Sequence, residues 1–320
     1  MRKILWFIFI VGSLGSCNKK ALQIHASTEG CSVSKSAMLY DSLVMVSIQK
    51  MNYDTTNASS LLKNRFSNRS LNIAQDMGIY GLLCEYTKVE STKNQDSRFN
   101  SLRIDLQQRI SLAYSDINSI QAELACEISR MEELQKHLSG WINKKVNQAT
   151  IYSIIIGGAS TILAGGLAID GASTEKEQAV AVAGAVAASY LGFRSLAIKK
   201  TILYEHKRNH LEDFLLKKTK SNIFSPFIWN FMTKAFIKNA STTTGQQQIL
   251  ADWKRLEFPA PESDKNYQAK IDLFAGLGGK YHLDDLETRI DMYKVIQKEI
   301  DLINYDLKRL QQEILIGYKP

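Results

Sequence analysis

Residues 102–146 read LRIDLQQRISLAYSDINSIQAELACEISRMEELQKHLSGWINKKV. Leu106, Ile110, Ala113, Ile117, Ile120 and Leu124 alternate steps of four and three. After one stutter the pattern resumes at Ile128, Met131, Leu134, Leu138 and Trp141. That period keeps one apolar stripe on one side of a long helix, as in a coiled coil. Leu286, Ile290, Tyr293, Ile296, Ile300, Ile303, Leu307, Leu310 and Ile314 repeat the pattern near the C-terminus, behind an Asp284–Asp285 pair that suits a helix N-terminus. Each stripe needs a partner. The two pack on each other, or on a helix that begins near Ala179, or a homo-oligomeric coiled coil supplies the partner.

The rest of the chain agrees with an all-α fold. Only 4 of 320 residues are proline, which permits long helices. A content of 45% hydrophobic and 22% charged residues excludes a disordered or collagen-like chain. The expectation is an elongated helical bundle with long coiled-coil-like helices and a Gly/Ala-rich apolar helical hairpin.

That hairpin is read from residues 151–198. Residues 151–169, IYSIIIGGASTILAGGLAI, carry no charge. As a helix they would extend ~28 Å, enough to cross a hydrocarbon core. A polar turn, DGASTEKEQ, follows, and then a second uncharged arm from Ala179 to Phe193. Small residues recur every four positions: Gly157, Thr161 and Gly165; Ser160, Ala164 and Ala168; Gly184, Ala188 and Gly192. Such rows let two helix backbones approach closely where no hydrophobic drive exists. The expected packing residues are Gly157, Gly165, Ala164, Ala168, Gly184, Ala188 and Gly192, in a membrane or an oligomer core. Burial inside a soluble monomer is the competing reading. Lys144, Lys145, Lys199 and Lys200 bracket the base. Glu175, Lys176 and Glu177 stand at the tip.

The N-terminus supplies a location. Met1-Arg2-Lys3 is basic, residues 4–14 (ILWFIFIVGSL) are apolar, and Leu14-Gly15-Ser16-Cys17 follows. This resembles the lipobox signal peptide of bacterial lipoproteins. The resemblance implies a diacylglyceryl thioether on Cys17, acyl chains such as palmitate, and Cys17 as the mature N-terminus. It covers residues 1–17 alone. Asn18, rather than Asp, implies the outer membrane by analogy with enterobacterial sorting. The protein is then expected in the bacterial cell envelope, lipid-anchored. Two or three chains at ~0.8 kcal/mol per buried CH₂ hold it stably. Without Arg2 and Lys3 the net charge of +8 falls to about +6. Export argues against nucleic acid as a partner and points to membrane lipid, a second copy or other envelope proteins.

The remaining boundaries follow composition. Residues 1–16 are the signal peptide, 17–36 a lipidated tether, 37–100 a short-helix region with Leu39, Leu43 and Val46 at helical spacing, and 101–150 the long helix. After the hairpin come a basic and aromatic helical region (199–258), a loop (259–282) and the C-terminal long helix (283–320). Phe224, Phe227, Trp229, Phe231, Phe236, Trp253 and Phe258 form the core of a compact helical cap, or an interfacial belt. Cys31, Cys84 and Cys126 allow at most one disulfide, and Cys84 with Cys126 is the preferred pair because both fall in expected helices.

No catalytic, cofactor or metal motif emerges. His206 and His210 are four apart on an expected helix, but their neighbours do not make a zincin, and they are expected to be exposed. Gly276-Leu277-Gly278-Gly279-Lys280 lacks the first glycine and the hydroxyl of a phosphate loop and is expected to be a flexible turn. Glu212-Asp213 and Asp284-Asp285 are expected on solvated faces. Lys199, Lys200, Lys207, Arg208, Lys217, Lys218 and Lys220 are expected on a solvated helix face or against anionic headgroups. The protein is therefore expected to be a non-enzymatic envelope component. In layout, residues 100–220 are similar to the α-helical pore-forming toxins of the cytolysin A and haemolysin BL type. That similarity implies membrane permeabilisation as the alternative.

Overall fold

The computed structural model describes residues 22–26, 31, 59–91, 97–169, 173–206, 208–238, 241–258 and 265–316. The expected signal peptide, Cys17 and the Leu39–Val46 spacing lie outside these residues. The described chain is predominantly helical. Its helices are α1 (Ser59–Arg65), α2 (Asn68–Asp76), α3 (Tyr80–Ser91), α4 (Ser97–Ile169), α5 (Thr174–Leu196), α6 (Glu212–Leu215), α7 (Pro226–Thr233), α8 (Gly245–Arg255), α9 (Tyr267–Ala275) and α10 (Leu283–Ile316). Five short strands accompany them: β1 (Leu22–Ala26), β2 (Ile202–Glu205), β3 (Ala235–Lys238), β4 (Ser241–Thr244) and β5 (Gly278–Tyr281).

The chain divides into two compact units. Of the described residues, one unit holds 136–204 with 22–25 and 280–283, and the other holds Ala26, Cys31, 59–135, 205–279 and 284–316. Helix α4 runs unbroken for 73 residues and contributes to both. The long helix and the first hairpin arm, which the sequence reading separated at 150/151, are therefore one element. Nothing in residues 146–155 breaks a helix, since neither proline nor glycine occurs there.

In the larger unit the two apolar stripes face each other. Leu106 through Leu134 on α4 and Leu286 through Ile314 on α10 are buried at every stripe position. The Gln121 side chain donates to the Gln297 carbonyl at 3.1 Å and to Asp301 at 3.0 Å, and Lys294 pairs with Glu132 at 3.3 Å. Numbers rise along one helix as they fall along the other, so the pair is antiparallel. The partner of each stripe is thus inside the same chain. The short helices attach to the last turns of α10: the Arg65 guanidinium donates to the Ile314 carbonyl at 2.9 Å and bonds Glu90, Ser67 N–H donates to Glu313 at 2.9 Å, and Arg69 pairs with Asp306. Ser67 caps α2, with its hydroxyl accepting from Ser70 N–H. Gly78, at φ 69°, turns the chain from α2 into α3.

The aromatic segment is core. Phe224, Phe227, Trp229, Phe231, Trp253 and Phe258 are buried, and Trp253 donates its indole N–H to the Met292 carbonyl at 3.1 Å. The cap is not wholly helical, however. Its β3–β4 hairpin pairs Ala235 with Thr244 and Lys238 with Ser241, and Phe236 sits in β3. Thr244 then caps α8 in a reciprocal capping box with Gln247. The expected loop at 259–282 contains α9 and β5. Part of the expected tether, Leu22–Ala26, is a strand in a three-stranded sheet of order β1-β2-β5.

The disulfide joins Cys31 to Cys126 rather than Cys84 to Cys126, and Cys84 keeps a buried thiol. Cys84 is buried on α3 while Cys126 on α4 lies beside Cys31, a proximity that helix membership alone does not reveal.

Candidate functional site: the apolar hairpin

Neither hairpin arm contains proline, and α5 opens with Glu175 and Glu177 in its first turn, where carboxylates suit the helix dipole. The backbones meet at one close crossing. A Cβ placed on Gly184 would stand 2.0 Å from the Cβ of Ser160, so only glycine fits there. One turn towards the base, a Cβ on Gly157 would meet the Ala188 Cβ at an ordinary 3.7 Å. Gly184, Ser160 and Ala164 are buried, and Gly157, Ala188 and Gly192 are half-buried. Gly165 and Ala168 are exposed, with open space around Gly165. The structure thus brings Gly157, Gly184 and Ala188 together at the crossing and leaves Gly165 and Ala168 outside it. Ser160, which the sequence reading noted in a row but did not single out, is the residue on which Gly184 closes.

The outer faces are unlike those of the other described helices. Ile151, Tyr152, Ile154, Ile155, Ile162, Leu163 and Ile169 on α4 and Val182, Val186, Tyr190, Phe193 and Leu196 on α5 are exposed, Ile162 by 75% and Phe193 by 74%. In each arm only 6% of the most apolar 18-residue window is buried. The hairpin is therefore not a core element of this monomer, and the soluble-core reading fails. Hydroxyls in the arms turn inward on their own backbone: Thr150 donates to the Val146 carbonyl, Ser153 to Thr150, Ser160 and Thr161 to Gly157, and Ser195 to Gly192, at 2.7–3.0 Å. Those polar groups need no water, a condition a bilayer imposes.

The histidines belong to a second polar cluster, in the larger unit. His206 and His210 are neither helical nor exposed. They follow β2 in an irregular segment and are buried. Arg208 pairs with the buried Glu123 of α4 at 2.9 Å, and His210 Nε2 lies 3.5 Å from the same carboxylate. Arg289 donates to the Phe274 carbonyl at 2.9 Å and to Asn209 Oδ1 at 2.8 Å, while Asn209 donates to the Phe274 and Gly276 carbonyls at 2.7 and 2.9 Å. Burial, reinforced by the nearby Arg289 cation, holds the His206 imidazole down from 6.5 to about 2, so it stays neutral. Among the described residues no group of three His, Cys, Asp or Glu side chains is arranged to hold a metal. The cluster ties the 206–224 segment to α4 and α10.

The acidic pairs need the same correction. Asp213 is buried, paired with Lys218 at 3.0 Å and accepting the Ser221 hydroxyl, and Asp285 is buried against Lys270. The basic stretch is not one helix face. Lys199 and Lys200 follow α5, Arg208 and Lys218 are ion-paired, and Lys217 occupies a left-handed turn at φ 49°. Gly278–Tyr281, part of the expected flexible turn, is β5.

No protein-family model, no curated protein and no solved structure matches the chain.

Proposed function

We propose that the protein is a non-enzymatic lipoprotein of the bacterial envelope. Acylated Cys17 anchors it, and its apolar hairpin makes a second attachment by entering a membrane. The observation that carries this reading is the exposure of twelve large apolar side chains on two adjacent helices. Withdrawing them from water yields on the order of 10–20 kcal/mol. Carrying Glu175, Lys176 and Glu177 at the tip across lipid costs several kcal/mol per charge, which offsets much of that gain and calls for assisted insertion. In water the same surface is an association hazard. The protein would serve as a structural or assembly component, with homo-oligomers or envelope proteins as partners.

A second reading, an α-helical pore-forming protein, is favoured by the continuity of α4. A helix that passes without a break from a packed stripe into an exposed apolar arm couples insertion to the rest of the molecule.

Liposome flotation of the mature chain carrying Cys17→Ser tests the hairpin. It should float with vesicles, and Ile162→Asp with Phe193→Asp should abolish flotation. A chain that stays at the bottom of the gradient contradicts the reading. Dye release separates the two functions: leakage lost in Gly184→Leu supports a pore, and binding without leakage supports the scaffold. If Cys17→Ala leaves cell membrane fractionation unchanged, the lipid is not the main anchor.

A further inference from the structure

The charges at the base of the hairpin are all of one sign. The sequence has no Asp or Glu in residues 134–169 or 178–204, yet these hold Lys136, Lys144, Lys145, Arg194, Lys199 and Lys200. The register set by Gly184 against Ser160 and Gly157 against Ala188 puts Leu196, the end of α5, level with residues 148–149, and Lys199 and Lys200 continue from there toward the level of Lys144 and Lys145. A direct contact closes that level: Lys200 Nζ lies 3.9 Å over the Trp141 ring. Lys144 and Lys199 are exposed, and Lys145 and Lys200 half-buried. Further along the arms Tyr152 and Tyr190 are exposed, and Arg194 donates to the Tyr190 hydroxyl at 3.4 Å. Beyond them lies uncharged helix up to the tip. Cations, then amphipathic rings, then an apolar run of ~25 Å on α4 and ~18 Å on α5 is the order in which a bilayer presents phosphate, interface and hydrocarbon.

We propose that this collar of Lys144, Lys145, Lys199 and Lys200 around Trp141 is a docking surface for the phosphate headgroups of an anionic phospholipid bilayer. It would engage the leaflet from which the hairpin inserts. The inference rests on the hairpin reading above and specifies the lipid class that the hairpin selects. Charge decides the occupant. A second copy packed in parallel would set one lysine collar against another, whereas an anionic leaflet complements all four cations. The collar stays outside the hydrocarbon, so insertion moves none of these four charges across it. Arg208 and Lys218, by contrast, are already engaged by Glu123, Glu212 and Asp213.

The test compares vesicles of phosphatidylcholine alone with an equimolar mixture of phosphatidylcholine and phosphatidylglycerol, using the mature chain with Cys17→Ser. At about five-fold per lysine, four lysines should favour the anionic vesicles by on the order of 10²–10³-fold at low salt. Replacing all four lysines with Gln should remove most of that preference while binding to neutral vesicles persists. Replacing Lys63, Lys217, Lys220 and Lys254, exposed lysines of the larger unit, should leave the preference in place. Equal binding to both vesicles, or equal losses in the two quadruple variants, overturns the collar and leaves the hairpin reading standing. Binding to neither vesicle, with self-association instead, overturns both and assigns the surface to a second copy.

Discussion

Helix α4 contains two regions that obey opposite rules. Its first part, from Leu106 to Leu134, keeps one apolar stripe buried against α10 and turns most of its charged side chains outward, Glu123 and Glu127 being buried. Its last part, from Ile151 to Ile169, buries only Ser160 and Ala164 and exposes isoleucine and leucine. The backbone is the same unbroken helix. What changes is which residues face the neighbouring helix: large apolar ones in the first part, small ones in the last. Burying small residues and exposing large apolar ones inverts the pattern of a soluble helix pair and matches helices that pack in lipid. Damage to the first region should therefore appear as lost stability, and damage to the second as lost membrane attachment.

The largest effect is expected from Cys126→Ser. Its bond to Cys31 closes a 95-residue separation, and its loss should lower stability by about 2–5 kcal/mol in urea unfolding while vesicle binding is retained. A contrast of similar size but more pointed pairs Leu124→Ala with Ile162→Ala. The first removes a fully buried stripe residue and should cost about 2–5 kcal/mol, and the second should stay within about 0.5 kcal/mol in the absence of lipid. Equal costs would erase the distinction between the regions. Gly184→Ala should follow, at about 1–3 kcal/mol of lost hairpin stability, because its methyl group collides with Ser160. Hydrogen exchange confined to residues 150–196 would report it.

The last effect is a pH slope, small near neutral pH. His206 is held neutral in the fold, at about 2, against 6.5 when unfolded. Its contribution is full above 6.5 and is lost as pH falls below that value, because the unfolded chain takes up a proton that the buried site refuses. The expected loss is ~1.4 kcal/mol per pH unit, seen as a falling Tm, and His206→Gln should remove that slope.

Periodicity made the two long stripes and the apolar arms legible, because helical spacing repeated over many turns is a strong local signal. The strands were not legible. Four residues such as Ser241–Thr244 are too few to display a period, and they are set by pairing with β3. The burial of His206, His210, Asp213 and Asp285 was hidden for a different reason. Each has a partner distant in the chain or off its own helix face, such as Glu123 for His210 and Lys270 for Asp285, and without that partner a charged residue reads as surface. The hairpin's small-residue rows were visible as rows. Which row meets the other arm depends on rotation about the helix axis: Ser160 and Ala164 are turned inward, and Gly165 and Ala168 are not.

The most direct test of the central claim places an environment-sensitive fluorophore at position 162 through Ile162→Cys in the mature chain and adds vesicles carrying quenchers on their acyl chains. If the hairpin leaves water for lipid, the emission shifts to the blue and is quenched by acyl-chain quenchers but not by quenchers in the aqueous phase. Emission that stays that of a water-exposed probe and responds to the aqueous quencher alone would contradict the account.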